Sequence, residues 1–482
     1  MLDVADEATD SGVDARMPRR DAGSDAGAPD AGPIVTCRAD RECADTPCVG
    51  DRARMGADLA PMPLACEPLR AGTADGETCD RNTDCARSLC AVAGTCVRPC
   101  VADTDCAPDR RCQQIYVRSA DASLQPLDAC ADRWNLPPSA SATETELAGA
   151  LTGSPSGDEI LLPAVSPTSV VMLGALTGSA SLVRLETRDP VPVVLFDVDA
   201  LGFGVPPPLN PMYPDGSPVI VMLPNGPRGV TSDAGYRAVV VSERASALRV
   251  TTVTSTAPGN VVDLDLYYVG PRGLVPRGDR GPPDVSRGLD VAEEVLSRHG
   301  IRFGTIRQHE IVGGLRDRYA LIESGPDFDL VELHELFALS AAAGRPTISV
   351  FFVREIDVAL GIAGGAPGPP GVHGTPGSGI AISVDLLTIP GLPEGVDIGR
   401  TLAHELGHYL GLFHTSEVDG LIIEPLPDTP ECGFEHDVDG DGYVLPEECE
   451  GAGADNLMFW AASGDTLTAQ QGEVIRSMPV LR

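Results

Sequence analysis

The residues best placed to do chemistry run His404-Glu405-Leu406-Gly407-His408-Tyr409-Leu410-Gly411-Leu412-Phe413-His414. Leu402, Leu406 and Leu410 recur at helical spacing after Ile398, so the segment reads as a helix. On a helix His404 and His408 lie one turn apart and face the same way, and two imidazoles can then grip one cation. A third ligand requires the chain to turn, and Gly411 permits the turn that brings in His414. Three neutral imidazoles around a tetrahedral zinc ion (Zn2+) leave one position open for water. Glu405, next to the first ligand, reads as the general base. Zinc lowers the pKa of such a water towards about 7, and the carboxylate takes its proton and hands it to a leaving amine. The remaining histidines (His299, His309, His334, His373 and His436) have no ligand spacing and read as ordinary.

A second constellation is acidic. Residues 437–448 read Asp-Val-Asp-Gly-Asp-Gly-Tyr-Val-Leu-Pro-Glu-Glu, which is the D-x-D-x-D-G-x5-E pattern of a calcium loop. Asp437, Asp439 and Asp441 would supply oxygens and Gly442 the sharp turn. Tyr443 would offer its backbone carbonyl, and Glu448 a bidentate carboxylate. Pro446 and the nearby glycines argue against two flanking helices. The expectation is an isolated loop holding structural Ca2+, stapled by a Cys432–Cys449 bridge; the competing reading is a plain acidic surface loop.

The elements that must position these groups sit in a chain of 482 residues, long enough for several domains. Its formal net charge of -35 disfavours nucleic acid and anionic membranes as partners. There are 14 cysteines, twelve of them between Cys37 and Cys130. Their even number and the lack of CxxC pairs favour disulfides over structural zinc, and so an oxidising, extracellular compartment, secreted or cell-surface. No segment is apolar enough to span a bilayer. No signal peptide is visible, so the chain reads as a mature form or as one whose true start lies upstream.

Five regions follow. Residues 1–36, rich in Asp, Ala and Gly, read as a disordered tether. Residues 37–130 hold an internal repeat of four-cysteine units, each opening with Cys-x5-Cys (Cys37 and Cys43, Cys79 and Cys85, Cys100 and Cys106). Each unit would carry two bridges, with three pairings open, and the plain reading is a protease-resistant stalk. Residues 141–270 carry short apolar runs between Pro, Gly and Asp turns, ending in a strand over Asn260 to Val269, and read as a β-sandwich. Residues 271–283, with Arg272, Arg277 and Arg280, read as a linker or as a processing site that releases an N-terminal pro-region, as in a zymogen. Residues 284–482 read as mixed α/β: a helix over Val285 to His299, strands over Ile301 to Ile311 and Thr347 to Ile356, a helix over Leu330 to Ala343, a flexible loop over Gly364 to Ser378, and a strand over Gly379 to Leu387.

The HExxHxxGxxH run resembles that of the metzincin zinc metallopeptidases. Metzincins carry a methionine turn beneath the metal, and Asn456-Leu457-Met458-Phe459-Trp460, with Met458 placed 44 residues after His414, is similar to it. Within metzincins the chain looks most like the pappalysin-like family, through His404 to Thr415, Asp428-Thr429-Pro430, the cysteine pair and the Asn-x-Met turn. The N-terminal tether resembles the spacers of exported myxobacterial proteins. The resemblance implies a two-lobed α/β (α+β) catalytic domain, a protein or peptide substrate bound along an edge strand near Gly379 to Asp385, and a second calcium site at Asp428 and Thr429. It also implies a tyrosine two residues after the methionine, where this chain has Trp460, which lacks a phenolic hydroxyl. The expectation is a secreted zinc endopeptidase. The alternative is a catalytically silent adhesion or binding protein that keeps zinc structurally, and the intact Glu405 argues against it.

Overall fold

The computed structural model describes residues 37–482 apart from short stretches, the longest being 51–63, 199–214 and 388–394. The 1–36 tether and Arg272 lie outside the described residues. The cysteine-rich region contains β1 (Cys48–Gly50), β2 (Leu64–Cys66), β3 (Arg110–Arg118) and β4 (Leu124–Asp132). Next come β5 (Ala140–Thr152), β6 (Asp158–Leu162), β7 (Ser169–Ala175), β8 (Ala180–Thr187), β9 (Val194–Asp197), β10 (Asp215–Gly216), β11 (Val219–Leu223), β12 (Tyr236–Ser242) and β13 (Ala245–Ser255). The remainder holds β14 (Val261–Val269), α1 (Pro283–Ser297), β15 (Arg302–Glu310), α2 (Gly313–Tyr319), β16 (Leu321–Ile322), α3 (Val331–Ala338), β17 (Ile348–Val353), β18 (Glu355–Ile356), β19 (Gly361–Ala363), β20 (Ile380–Ser383), α4 (Val384–Leu387), α5 (Val396–Tyr409) and α6 (Ala469–Arg476).

The cysteines pair by one rule. In each unit the first joins the third and the second joins the fourth: Cys37–Cys48 and Cys43–Cys66, Cys79–Cys90 and Cys85–Cys96, Cys100–Cys112 and Cys106–Cys130. Cys432–Cys449 closes the seventh bridge. The modules do not form a free stalk. Gln113 donates its side-chain amide to His373 O at 3.4 Å, Arg249 of β13 pairs with Asp103 at 3.0 Å, and Val92 is buried with Tyr267 and Phe337.

Two antiparallel sheets, β10-β8-β12-β6 with β9 on β8, and β11-β7-β13-β5, face each other across a shared core of Val171, Leu173, Val221, Phe196, Tyr236 and Leu248. This is a sandwich, but one of its sheets is covered on both sides. Alternate residues of β7, β11 and β13 (Val170, Met172, Met222 and Val253) enter the core that surrounds α5. Fully burying a side chain such as Met222 stabilises by about 1.5–3 kcal/mol.

The third sheet runs β15-β14-β17-β20-β19, parallel except for β19 at its edge. It corrects several expectations. The strand over Val261–Val269, assigned to the sandwich, lies between β15 and β17. Residues 273–282 therefore join β14 to α1 within one sheet-and-helix layer, rather than linking two domains at 284. A cut there would leave β14 with the released piece, so removal of a pro-region up to about residue 280 does not fit this architecture. The strand over Gly379 to Leu387 is strand only to Ser383 and is not the edge, because β19 covers it. Gly364 to Ser378 is mostly buried rather than a loose loop: Gly368 N–H donates to Tyr409 O at 3.0 Å and the Tyr409 hydroxyl to Pro369 O at 3.3 Å. α5 is enclosed on all sides, every residue from Thr401 to Tyr409 being buried. Among the described residues no helix is long and apolar enough to cross a membrane.

Candidate metal centre

α5 carries His404 and His408, and Gly411, at φ +104, reverses the chain so that His414 returns to them. Any Cβ at Gly411 would also lie 2.7 Å from Met222 Cε, so the sandwich reaches under this turn. His404 Nε2 lies 3.1 Å from His408 Nε2 and 3.2 Å from His414 Nε2. Behind them, His404 Nδ1 meets Leu457 O at 2.7 Å and His408 Nδ1 meets Leu412 O at 2.9 Å. A carbonyl oxygen only accepts, so Nδ1 carries the proton in both rings and each Nε2 presents a lone pair. His414 Nδ1 faces Glu417 Oε2 at 3.0 Å, which orients it the same way. Lone pairs facing one another across 3.1–3.2 Å repel unless a cation sits between them. Metal–nitrogen bonds of about 2.0–2.1 Å in a tetrahedron give edges of about 3.3 Å, close to this spacing.

Burial supplies the electrostatics. It holds the His404 imidazolium pKa down to about 3 and that of His408 well below the usual range, with His414 nearby adding to both shifts. Both rings are thus neutral, as metal ligands must be. Burial pushes the Glu405 carboxyl up to about 8, partly offset by the Ala363 N–H that it accepts. Glu405 lies against the edge strand: a Cβ on Gly361 would sit 2.8 Å from its Cγ.

Met458 is fully buried beneath α5, where a Cβ on Gly407 would come within 2.4 Å of its Sδ. Its N–H donates to Asn456 Oδ1 at 2.8 Å and its carbonyl accepts from Thr415 N–H at 2.9 Å. Trp460 turns its indole N–H onto Val444 O at 2.8 Å, tying the methionine turn to the acidic loop.

In that loop Asp437, Asp439 and Glu448 bring carboxylate oxygens within 4.8 Å of one another; Asp441 is outside this group. Gly440 and Gly442 donate their N–H groups to Asp437, Val438 and Leu445 to Glu448, Asp441 to Asp439, and Tyr443 to Asp441. Gly442 takes φ +89 and the Tyr443 side chain is exposed. Val444, fully buried, donates its N–H to Val418 O at 2.8 Å. Asp428 caps α6 instead of standing free, accepting from the Thr468 hydroxyl at 2.9 Å and Gln470 N–H at 3.0 Å. The cysteine groups that could hold a metal are all committed to disulfides.

Sequence reasoning missed Glu417, although a carboxylate three residues past the last histidine was a readable signal. It also missed Val444 and the backing carbonyls Leu412 O and Leu457 O, which no side-chain pattern reveals.

No family model and no curated protein matches the chain. Among solved structures, the Bacillus subtilis protein YXIM aligns at 10% identity and TM-score 0.12, over 45% of this chain and 66% of that one. An active-site mutant of a family two carbohydrate esterase from Clostridium thermocellum, in complex with a cello-oligosaccharide, aligns at 8% identity and TM-score 0.10, over 44% and 66%. The chain spans just under two thirds of each, and likenesses at this level carry no argument about fold or function.

Proposed function

We propose that this chain is an exported zinc-dependent endopeptidase of the metzincin type, similar to the pappalysin-like family. The observation that carries this reading is the convergence of three imidazole lone pairs beside a buried carboxylate at a sheet edge. His404, His408 and His414 would hold zinc, which when bound supplies Lewis acidity to the scissile carbonyl and acidifies the attacking water. The chain's own residues do the rest. β19 stands at the edge of its sheet, and an extended peptide would be aligned along it by strand addition. Glu405, with its raised proton affinity, accepts the proton of the attacking water and delivers it to the departing amine nitrogen. The Ala363 N–H fixes the carboxylate orientation, and Met458 supports the floor of α5. The 437–448 loop would hold calcium through Asp437, Asp439, Asp441, the Tyr443 carbonyl and Glu448. Seven disulfides fit an oxidising, extracellular compartment.

The test is digestion of a mixed peptide library by the purified chain with zinc and calcium, read by mass spectrometry. Cuts that vanish with a chelator and in Glu405→Gln are expected. A Glu405→Gln variant that still cuts would overturn the proposed role of Glu405, and a wild type that binds zinc but never cuts would favour a silent binding protein.

A further inference from the structure

We propose that Glu417 is a positioning residue of the metal centre, fixing His414 and strengthening it as a ligand. This rests on the zinc reading above. His404 and His408 stand on the buried stretch of α5 from Thr401 to Tyr409, and their Nδ1 atoms meet neutral carbonyls. His414 has neither advantage. It lies past the end of α5, outside any helix or strand, and is only partly buried. Its Nδ1 partner is correspondingly stronger: the Glu417 carboxylate at 3.0 Å. A carboxylate in that position sets the tautomer, locks the ring and raises the basicity of the far nitrogen. Glu417 is itself held in place. Its carbonyl accepts from Gly420 N–H at 2.8 Å, and the next residue, Val418, accepts from Val444 N–H at 2.8 Å. The carboxylate therefore belongs to a turn pinned from both sides, whereas a surface ion pair free to move contributes little. The least anchored of the three ligands is the one given an anionic partner.

The experiment measures zinc affinity of the full chain by competition with a chromogenic chelator, for wild type, Glu417→Gln, His414→Ala and the double variant. Melting of the zinc-free proteins is followed alongside. Glu417→Gln is nearly isosteric and removes the charge. It should bind zinc about 10–100-fold more weakly, with zinc-free melting unchanged. In the His414→Ala background the same change should have no further effect, because Glu417 acts through His414. Equal affinity of Glu417→Gln and wild type, or the same loss with His414 absent, overturns the assignment. A wild type that takes up no stoichiometric zinc brings down the metal-centre reading as well; normal uptake by wild type with an unaffected Glu417→Gln overturns this inference alone.

Discussion

The imidazole centre and the acidic loop are supported in opposite ways. His404 is backed by Leu457 O, 53 residues downstream, and the helix that carries it rests on Met458 and is enclosed by the core. The carboxylates of 437–448 are backed by amides of the same loop, none more than ten residues away. The backing of His404 exists only when the whole fold exists, although His408 and His414 are backed from four and three residues away; the backing of the loop carboxylates can form locally. Burial differs in the same sense. His404 and His408 are each 3% exposed, while Val438 and Tyr443 of the loop are 81% and 51% exposed. In a poorly polarisable interior, neutral imidazoles facing one another have no water to relieve them, whereas loop carboxylates do. On the proposed reading, geometry would commit the buried centre to a cation, and charge the exposed loop.

The largest effect expected is at Glu405. Glu405→Gln should lower peptide cleavage by about 10²–10⁴-fold while zinc content, measured by atomic absorption, stays at the wild-type level. A loss of zinc in this variant would mean that Glu405 holds the centre together and would blur the contrast between chemistry and scaffold. Calcium removal comes next. At a calcium concentration about 100 times Kd, binding stabilises by about 2.7 kcal/mol, so a calcium-selective chelator should lower the melting temperature and Glu448→Gln should abolish that response. The effect should reach the imidazoles. Val444 links the loop to Val418, beside Glu417, so calcium should also tighten zinc binding, measured by chelator competition. Zinc affinity indifferent to calcium would show the two centres to be independent.

A smaller effect is expected where the centre meets its floor. Gly407→Ala adds a methyl that would lie 2.4 Å from Met458 Sδ, and Met458 is fully enclosed. Overpacking of this kind costs about 1–3 kcal/mol, and chemical denaturation should show it. An Ala variant as stable as wild type would mean that the methionine turn yields easily and does not brace α5.

The same contrast decides what could be read in the sequence. The clustered histidines were legible because all three lie within 11 residues of one helix and its turn. The calcium pattern was legible for the same local reason, although Asp441 stands apart from the Asp437, Asp439 and Glu448 group. Non-local pairing was not legible. Val261–Val269 reads Val-Val-Asp-Leu-Asp-Leu-Tyr-Tyr-Val, apolar on both faces at its end, which fits an inner parallel strand as well as a sandwich strand. The Gly- and Pro-rich run over Gly364 to Ser378 looked mobile, yet its small residues let the chain press onto Tyr409: a Cβ on Gly368 would fall 2.3 Å from the ring. Disulfide pairing within each module required coordinates, since spacing alone leaves three choices.

Trp460 gives the smallest and most discriminating effect. The resemblance places a tyrosine here near the metal, while the structure turns the indole N–H onto Val444 O at 2.8 Å, on the acidic-loop side. Trp460→Phe keeps an aromatic ring and removes the donor, leaving the carbonyl of the buried Val444 without that partner. The cost should be about 1 kcal/mol in denaturant unfolding. The same variant should weaken calcium binding modestly, because Val444 is part of the loop. Cleavage measured at saturating calcium should change by much less than tenfold, since a tenfold loss corresponds to about 1.4 kcal/mol of transition-state stabilisation that a group facing Val444 has no means to supply. A tenfold loss of cleavage with stability unchanged would place Trp460 at the reacting centre and make it a substitute for the missing tyrosine rather than a tie between the methionine turn and the acidic loop.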